Sequence, residues 1–429
     1  MDTELLTVSQ TAQYLQLSEK TVRRLIGSGT LPASKLGNRS WRIRASDIDG
    51  YVAENCSAKP LEPDTPVFSV VSETSEAPKI STTASHGPRL VSLFSGCGGM
   101  DCGFRKAGFN IVYANDFDSD AQAIYSLNLG RIDKRDILTV GEDEIPDADI
   151  LTAGFPCQPF SNAGSRKGVH DSRGMLYKEC LRIIKRKMPK VILFENVKGL
   201  LSTKYIDGRN LAEVIVEDLS EMNGVGYNVV HQLVNASDYG VPQNRQRVLF
   251  VGVRKDLGIT FKFPDKQSKE KMTLRYVLDV PEDAENNVDW PLSPQAMDMV
   301  QYIPEGGSWK NVPYEHLAPR FQRIRDNMKK YHSPNFYRRF SRDEICGTMT
   351  ASAQPENCGI IHPLENRRFT VREAARIQTF PDDFHFLTDT PRNITAMYKV
   401  IGNAVPVNLA YNIASAIMEQ VFSKENEKK

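Results

Sequence analysis

The chain has 429 residues, which is too long for one average domain and suits two or three. Hydrophobic residues make up 40% and charged residues 25%, as in an ordinary globular protein, and 54 basic against 53 acidic residues leave a net charge of +1. That balance excludes a strongly basic or acidic chain, although local clusters can still bind nucleic acid. The N-terminal sequence lacks a signal peptide's basic and apolar regions, and no apolar run reaches membrane-spanning length, so we expect a cytoplasmic protein that does not contact a membrane.

The cysteines do not indicate a metal site or a disulfide framework. There are seven, at positions 56, 97, 102, 157, 180, 346 and 358, so their number is odd. Their spacings match no paired-ligand pattern, and no His or second Cys pair stands near Cys97 and Cys102 to complete a zinc site. We therefore expect free thiols in a reducing compartment and no bound metal.

Residues 1–56 read as a small separate domain. Apolar spacing predicts two short helices, "KLGNRSWRI" predicts a hairpin turning at Gly37-Asn38, and a third helix is expected from Ser46. The segment from Ser18 to Arg44 contains seven basic residues and one acidic residue, which gives a local charge of +6. This pattern resembles the winged helix-turn-helix of excisionase and MerR-type proteins. A solvated helix face would explain a charged helix alone; the added turn and basic hairpin favour DNA contact, with Arg23, Arg24 and Arg42 as candidates.

Residues 57–88 have the composition of a flexible linker. They contain five prolines and a surplus of Ser and Thr, which cannot support a packed core. A coil of this length spans roughly 30 Å. The N-terminal domain can therefore visit a site that the rest of the protein does not touch.

From Arg89 onward the pattern predicts an α/β domain. Short apolar runs such as "RLVSLF", "DADILTAGFP" and "KVILFENV" alternate with amphipathic stretches such as "YKECLRIIKRK". This alternation predicts a parallel sheet with helices on both faces, and such sheets bind ligands at the carboxyl ends of their strands. The chemically informative residues fall at those ends.

The first predicted strand ends in a glycine turn, "FSGCGG", which lets a ligand approach the backbone through Gly96, Gly98 and Gly99. The next strand ends in "NDFD", which places Asp116 about twenty residues later, a spacing common for an acid that binds a ribose. Phe117 beside it could stack on a purine, and a third strand edge offers Asp136. A helix cap is the alternative role for each single carboxylate. The series of acids favours an adenosine-type ligand.

A second group of residues indicates covalent chemistry. Cys157, in "GFPCQ", follows a strand and precedes a long, basic, glycine-hinged loop, although a free Cys is most often buried packing. "FENV" places Glu195 at another strand end. "QNRQRVLFVGV" places Gln243, Arg245 and Arg247 ahead of a further strand, on one face if the segment is extended. A nucleophile, an acid and two guanidinium groups at separate strand edges indicate an active site.

In order along the chain, "FSGCGG", "GFPCQPFS", "ENV", "QNRQR", "RFTVREAARIQTFPDDF" and "YKVIGNAVP" resemble the motifs of the C5-cytosine DNA methyltransferase family. The resemblance covers residues 89–425. It implies S-adenosylmethionine as cofactor and a doubly wound, Rossmann-like catalytic domain over residues 89–264 and 366–425, followed by a short tail, 426–429. It also implies an inserted target-recognition domain over residues 265–365.

The resemblance also implies residue roles. Cys157 would attack C6 of a flipped cytosine, Glu195 would hold N3 and the exocyclic amine, Arg247 would contact the O2 side, and Arg245 and Arg247 would favour the thiolate. Phe94 would stack on the adenine, Asp116 would bind the ribose and Asp136 the adenine amine. The remaining cofactor contacts implied in this way are Gly96, Gly98, Gly99, Phe117, Ile137, Pro156, Leu176 and Asn403.

The predicted recognition domain carries a basic segment, Lys310 to Arg342, with nine basic and two acidic residues interleaved with aromatic ones. The DNA contacts that we expect outside the N-terminal domain are Gln158, Ser161, Gln243, Arg320, Arg323, Arg338 and Arg339. Implied partners are duplex DNA, bound by a monomer, and either a restriction endonuclease encoded nearby or, for an orphan methylase, no nuclease. Two alternatives stay open: RNA as the substrate, and a second role as a transcriptional regulator through residues 1–56.

Overall fold

The computed structural model of the protein describes residues 5–8, 10–11, 19–27, 30–36, 40–44, 46–48, 87–156, 175–205, 207–327, 337–351 and 359–423. The chain forms two compact units, Met1–Ile80 and Ser81–Lys429.

The first unit combines a helix with a small antiparallel sheet. Strands β1 (Leu5–Thr7), β2 (Ser34–Leu36) and β3 (Ser40–Arg44) pair in the order β1-β3-β2, and helix α1 spans Glu19–Gly27. Its hydrophobic core consists of Val8, Val22, Leu31, Ile43 and Ile48. The predicted hairpin is confirmed as β2 and β3, its Gly37-Asn38 turn lies outside the described residues, and β1 was not predicted.

The second unit is built on a six-stranded sheet in the order β5-β4-β6-β7-β9-β8. Its strands are β4 (Arg89–Leu93), β5 (Asn110–Asn115), β6 (Ile150–Ala153), β7 (Val191–Val197), β8 (Tyr227–Asn235) and β9 (Gln246–Arg254). The four strands β5, β4, β6 and β7 run parallel to one another, whereas β9 is antiparallel to both β7 and β8. The sheet is therefore mixed rather than wholly parallel, because residues 236–245 are too few for a helical crossover between β8 and β9.

Helices cover both faces of this sheet. The α-helices of the second unit are α2 (Gly99–Lys106), α3 (Ser119–Asn128), α4 (Met175–Lys187), α5 (Leu211–Ser220), α6 (Pro294–Val300), α7 (Pro319–Asp326), α8 (Val371–Ile377), α9 (Pro391–Asn403) and α10 (Val407–Ile417). Val191 and Leu193 of β7 pack in one core with α2 and α10, and the alternate residues Ile192 and Phe194 pack in another with α4 and α5. This two-faced packing confirms the predicted doubly wound α/β fold.

A further cluster of buried side chains lies away from the sheet. It joins α6, α7 and residues 300–317 to Tyr337 and Ile361, and a short parallel pair, β10 (Arg338–Arg339) and β11 (Ile360–Ile361), lies beside it. The C-terminal helical run, Pro391–Phe422, is long and apolar enough to cross a membrane by length and composition alone, but 67% of its most apolar stretch is buried inside the protein, as is usual for core helices.

Candidate active site

A cavity of about 580 Å³ opens where the parallel strands end. Its lining includes Phe94 after β4, Asp116 after β5, Gly154 after β6 and Glu195 near the end of β7. Because parallel strands end at one edge of a sheet, these four sequence segments converge there. The volume suits a ligand of nucleoside size.

The glycine turn shapes one wall of this cavity. Phe94 and Gly96 have positive φ angles of 54° and 57°, and both line the cavity. Phe94 therefore holds a strained left-handed conformation at the ligand edge. Gly98 (φ 92°) does not line the cavity; a Cβ there would lie 2.2 Å from Leu129 Cδ1, so this glycine allows close packing at the start of α2.

The acids after β5 are held by backbone N–H groups. Asp116 accepts hydrogen bonds from the N–H of Gly96 (2.7 Å) and of Asp118 (2.8 Å), and burial is the main cause that raises its pKa. Asp118 caps α3 and forms an ion pair with Lys399 of α9. Asp136 accepts from the N–H of Leu138 at the start of a 3₁₀ turn. The capping role is therefore present for Asp136, but Asp116 and Asp136 also face the cavity.

Apolar side chains complete the lining. Phe117 is 73% exposed, so its ring is open to a ligand, whereas Ile137 is only 2% exposed. Other lining residues that the sequence predicted are Gly99, Pro156, Leu176 and Asn403. Two aromatic rings and carboxylates held at fixed positions match the adenine, ribose and amine of S-adenosylmethionine, so the residues present fit this cofactor.

Glu195 and Arg247 form an ion pair at the cavity. The Nε of Arg247 lies 2.8 Å from Oε1 of Glu195, and each side chain is 12% exposed. The antiparallel register places Arg247 opposite Val197, so it is diagonal to Glu195 on the same face of the sheet. A nearly buried carboxylate thus has a fixed orientation and a charged partner.

Arg245 is more deeply buried than Arg247. Its side chain is 1% exposed and lines the same cavity, yet its guanidinium donates to the backbone carbonyls of Met349 (3.0 Å) and Gly402 (2.8 Å). Burial is the largest cause that lowers its pKa to about 9, with the nearby charge of Arg247 acting in the same direction. The group is therefore cationic at neutral pH but is held by carbonyls rather than by an acid.

The predicted nucleophile lies outside the described residues, together with Gln158 and Ser161. The described chain runs as far as Pro156, which lines the cavity directly before Cys157. The preceding Phe155 is buried against Tyr177 and Phe194, and its carbonyl accepts a hydrogen bond from Nδ2 of Asn196 (2.8 Å). The segment that carries the cysteine therefore starts from a fixed point at the cavity.

Comparison with known proteins gives the family. The model of C-5 cytosine-specific DNA methylases matches residues 89–419. The type II methyltransferase M.NgoFVII of Neisseria gonorrhoeae is 38% identical over 363 residues, covering 81% of this chain and 90% of its own length. The chain belongs to the C-5 cytosine-specific DNA methylase family. A helix-turn-helix domain model matches residues 5–56 of this methylase.

Other relatives agree with the assignment. The type II methyltransferase M.Eco47II of Escherichia coli is 34% identical, with 97% of this chain and 95% of its own length covered. Among solved structures, a DNMT2 variant of Spodoptera frugiperda has a TM-score of 0.54 at 18% identity, covering 78% of this chain and 100% of its own, and supports the fold alone. The methylase therefore transfers a methyl group from S-adenosylmethionine to C5 of cytosine, as the sequence predicted.

Two predicted DNA contacts of the methylase are buried inside the protein. Gln243 is 0% exposed, and its Nε2 donates to Oε1 of Gln378 (3.0 Å). Arg339 is 4% exposed, and its guanidinium donates to carbonyls of residues 300, 303, 362 and 365 and to Oδ1 of Asn366. Both side chains bind partners inside the protein and are not presented at its surface. Their local sequence looks polar and basic, and only the tertiary fold buries them.

The other predicted DNA contacts differ in accessibility. Arg320 and Arg323 of α7 are exposed, whereas Arg338 is largely buried and forms a bidentate pair with Glu344. In the first unit Arg23 is exposed, and half-buried Arg42 donates to the carbonyl of Trp41 (3.0 Å). The side chain of Arg24 lies outside the described part of the chain.

Sequence reasoning missed one buried acid beside the cavity. Asp101 in α2 is 0% exposed and accepts hydrogen bonds from Ser92 Oγ (2.7 Å) and Tyr125 OH (2.8 Å). Burial raises its pKa to about 6. It ties β4 and α3 to the helix that follows the glycine turn. Its two partners come from separate elements, so no local pattern indicated the role.

Proposed function

We propose that this methylase modifies one cytosine within a short duplex DNA sequence by covalent catalysis through Cys157. The observation that carries the proposal is the Glu195–Arg247 ion pair, which lines the same cavity as Pro156, the residue before Cys157. An oriented acid and a guanidinium group at that place match the polar edge of a cytosine. A base inside a duplex cannot present C6 to a thiolate, so the target must first leave the stack.

The residue types account for the chemistry. Bound S-adenosylmethionine supplies an electrophilic methyl group. C5 of cytosine is a poor nucleophile until the thiolate of Cys157 forms a bond to C6, which makes an enamine that is reactive at C5. Glu195 binds N3 and the exocyclic amine and favours protonation of the ring during attack, and Arg247 holds Glu195 while it faces O2. Removal of the C5 proton then expels the thiolate, and the cationic Arg245 and Arg247 favour that thiolate form.

The target is read by another part of the chain. We assign recognition to residues 265–365, because this region has its own buried core and presents Arg320 and Arg323 on exposed positions of α7. The curated relatives are named type II methyltransferases, so we place this enzyme in a restriction-modification system with a nuclease encoded nearby. We propose a cytoplasmic enzyme that acts as a monomer.

Bisulfite sequencing tests the proposal. DNA from cells that express the methylase should carry 5-methylcytosine at one short sequence, and Cys157→Ser should remove the signal, because a serine hydroxyl is a far weaker nucleophile than a thiolate. An unmethylated genome under active expression would contradict the proposal. Methyl transfer to transfer RNA in preference to duplex DNA would instead support the RNA alternative.

We propose as a second function that residues 1–56 bind duplex DNA independently of the target site. The helix-turn-helix match, the exposed Arg23 and Arg44, and the partly exposed Arg42 support it. Full-length protein with Arg23→Ala and Arg42→Ala should lose footprints at sequences that are not methylated, while its methylation pattern stays unchanged. Loss of methylation instead, or footprints identical to those of the wild type, would refute this second function.

A further inference from the structure

Three buried polar side chains next to the active site connect two segments of the second unit. Gln243, Arg245 and Gln378 are 0%, 1% and 0% exposed, and we call them the clamp. The mechanism above uses only the charge of Arg245 and gives no role to the two glutamines. Buried polar groups are costly unless their hydrogen bonds are satisfied, so their partners indicate what they hold together.

One set of clamp contacts holds the segment of residues 346–351, which belongs to the proposed recognition domain. Arg245 Nη1 donates to the carbonyl of Met349 (3.0 Å), and the N–H of Met349 donates to Oε1 of Gln243 (3.0 Å). Next to them, the N–H of Asn244 donates to the carbonyl of Cys346 (2.7 Å). Both backbone polar groups of Met349 are therefore taken by the clamp.

A second set of contacts holds the last residues of α9 and Ala404 (residues 401–404), which we call the cofactor turn. Arg245 Nη2 donates to the carbonyls of Gly402 (2.8 Å) and Asn403 (3.3 Å). Gln378 Nε2 donates to the carbonyl of Ile401 (2.7 Å), and Gln378 Oε1 accepts from Gln243. Gly402, Asn403 and Ala404 of this turn line the cofactor cavity.

The two held segments also touch each other directly. A Cβ on Gly402 would lie 2.5 Å from the backbone N of Ala351 and from the carbonyl carbon of Thr350. There is no space for a side chain between them, so one segment cannot shift toward the other without moving it. Arg245 spans this contact, with one guanidinium nitrogen on each segment.

We propose that Arg245 is a positioning residue that holds the cofactor turn in register with residues 346–351. A shift of residues 346–351 when DNA binds then moves the guanidinium group that holds the carbonyls of Gly402 and Asn403, and the affinity for the methyl donor changes with it. Binding free energies are linked, so the cofactor must change the affinity for DNA by the same factor. The inference rests on the proposed function, which assigns the two segments to DNA and to cofactor.

Calorimetric titration with S-adenosylhomocysteine tests this inference. The full-length protein is titrated alone and with a duplex that carries the site mapped by bisulfite sequencing. We expect the wild type to bind about fivefold or more tightly with the duplex. Arg245→Lys should lose most of that gain, because an ammonium group keeps the charge but is not a planar fork that can reach both segments. Arg254→Lys, at the far end of β9 and paired with Asp256, is the matched control and should keep the gain.

Two results would overturn the inference: a wild type with equal affinity in both titrations, or Arg245→Lys with an undiminished gain. If Arg245→Lys unfolds below the assay temperature, Gln243→Asn replaces it, since the shorter amide cannot reach Met349, and the same loss is expected. The titration requires no turnover. Normal methylation without coupling therefore refutes only this inference, whereas coupling at a mapped site that Cys157→Ser still methylates refutes only the proposed function.

Discussion

Gly103 is the position where one added side chain should damage the methylase most clearly. It lies in the middle of α2, and a Cβ there would be 2.6 Å from Ala410 Cβ and from the backbone N of Tyr411, and 2.7 Å from the carbonyl of Val407. Relief of these contacts requires α2 and α10 to separate by roughly 1 Å. Overpacking of this kind costs about 1–3 kcal/mol. The better helix propensity of Val than of Gly returns only about 0.4 kcal/mol.

We therefore expect Gly103→Val to lose about 2 kcal/mol of stability, which lowers the melting temperature by roughly 4 °C or more. Affinity for S-adenosylhomocysteine should fall as well, because α2 starts at the cavity-lining Gly99. Scanning calorimetry and titration measure the two effects. Gly199→Val is the control, since Gly199 is exposed and a Cβ there meets nothing closer than 3.9 Å. A Gly103→Val protein that melts within about 1 °C of the wild type would refute the packing argument.

The remaining predictions concern single side chains. Glu195→Gln should slow methyl transfer at least ~100-fold without weakening S-adenosylhomocysteine binding, while Glu213→Gln on an exposed position of α5 should change neither; equal rates would contradict the role of the acid. Asp101 has a folded-state pKa of about 6, above its ordinary 3.8, so its penalty on folding is relieved as the pH falls through 6. The unfolding free energy of the wild type, measured relative to that of Asp101→Asn in denaturant titrations, should therefore rise by up to about 3 kcal/mol from pH 7 to pH 4. A difference that does not change with pH would contradict this prediction. Arg339→Ala should lower the free energy of unfolding by about 3 kcal/mol or more. Arg323→Ala should leave the melting temperature unchanged but weaken DNA binding, with the salt dependence of the binding constant reduced by about one. The reverse pattern would support Arg339 as a DNA contact.

The catalytic fold could be predicted from the sequence because its signals are local. Each buried strand is a short apolar run, and the chemically informative residues directly follow those runs. The sequence alone therefore assigned Asp116 and Glu195 to one edge of the sheet. The same reasoning did not give the antiparallel direction of β9. The pairing of Glu195 with Arg247 depends on that direction, so the sequence predicted both residues but not their contact.

Burial of polar side chains is the feature that the sequence did not indicate. Gln243 and Arg339 lie in segments whose composition is typical of an exposed nucleic-acid surface, yet each is enclosed by acceptors or donors from distant parts of the chain. Asp101 and Gln378 were missed for the same reason. Their partners lie on separate elements, from 9 residues away for Asp101 to 135 residues away for Gln243, and leave no recognisable local pattern, so only tertiary structure reveals such networks.

The most direct test of the account is the bond between sulfur and the pyrimidine. A duplex with 5-fluorocytosine at the mapped position should form a covalent adduct with the wild-type protein in the presence of S-adenosylmethionine, visible on a denaturing gel, because fluorine at C5 blocks the final elimination. Mass spectrometry should locate the adduct on Cys157, and Cys157→Ser should form none. No adduct with the wild type, or an equal adduct with the serine variant, would contradict the account.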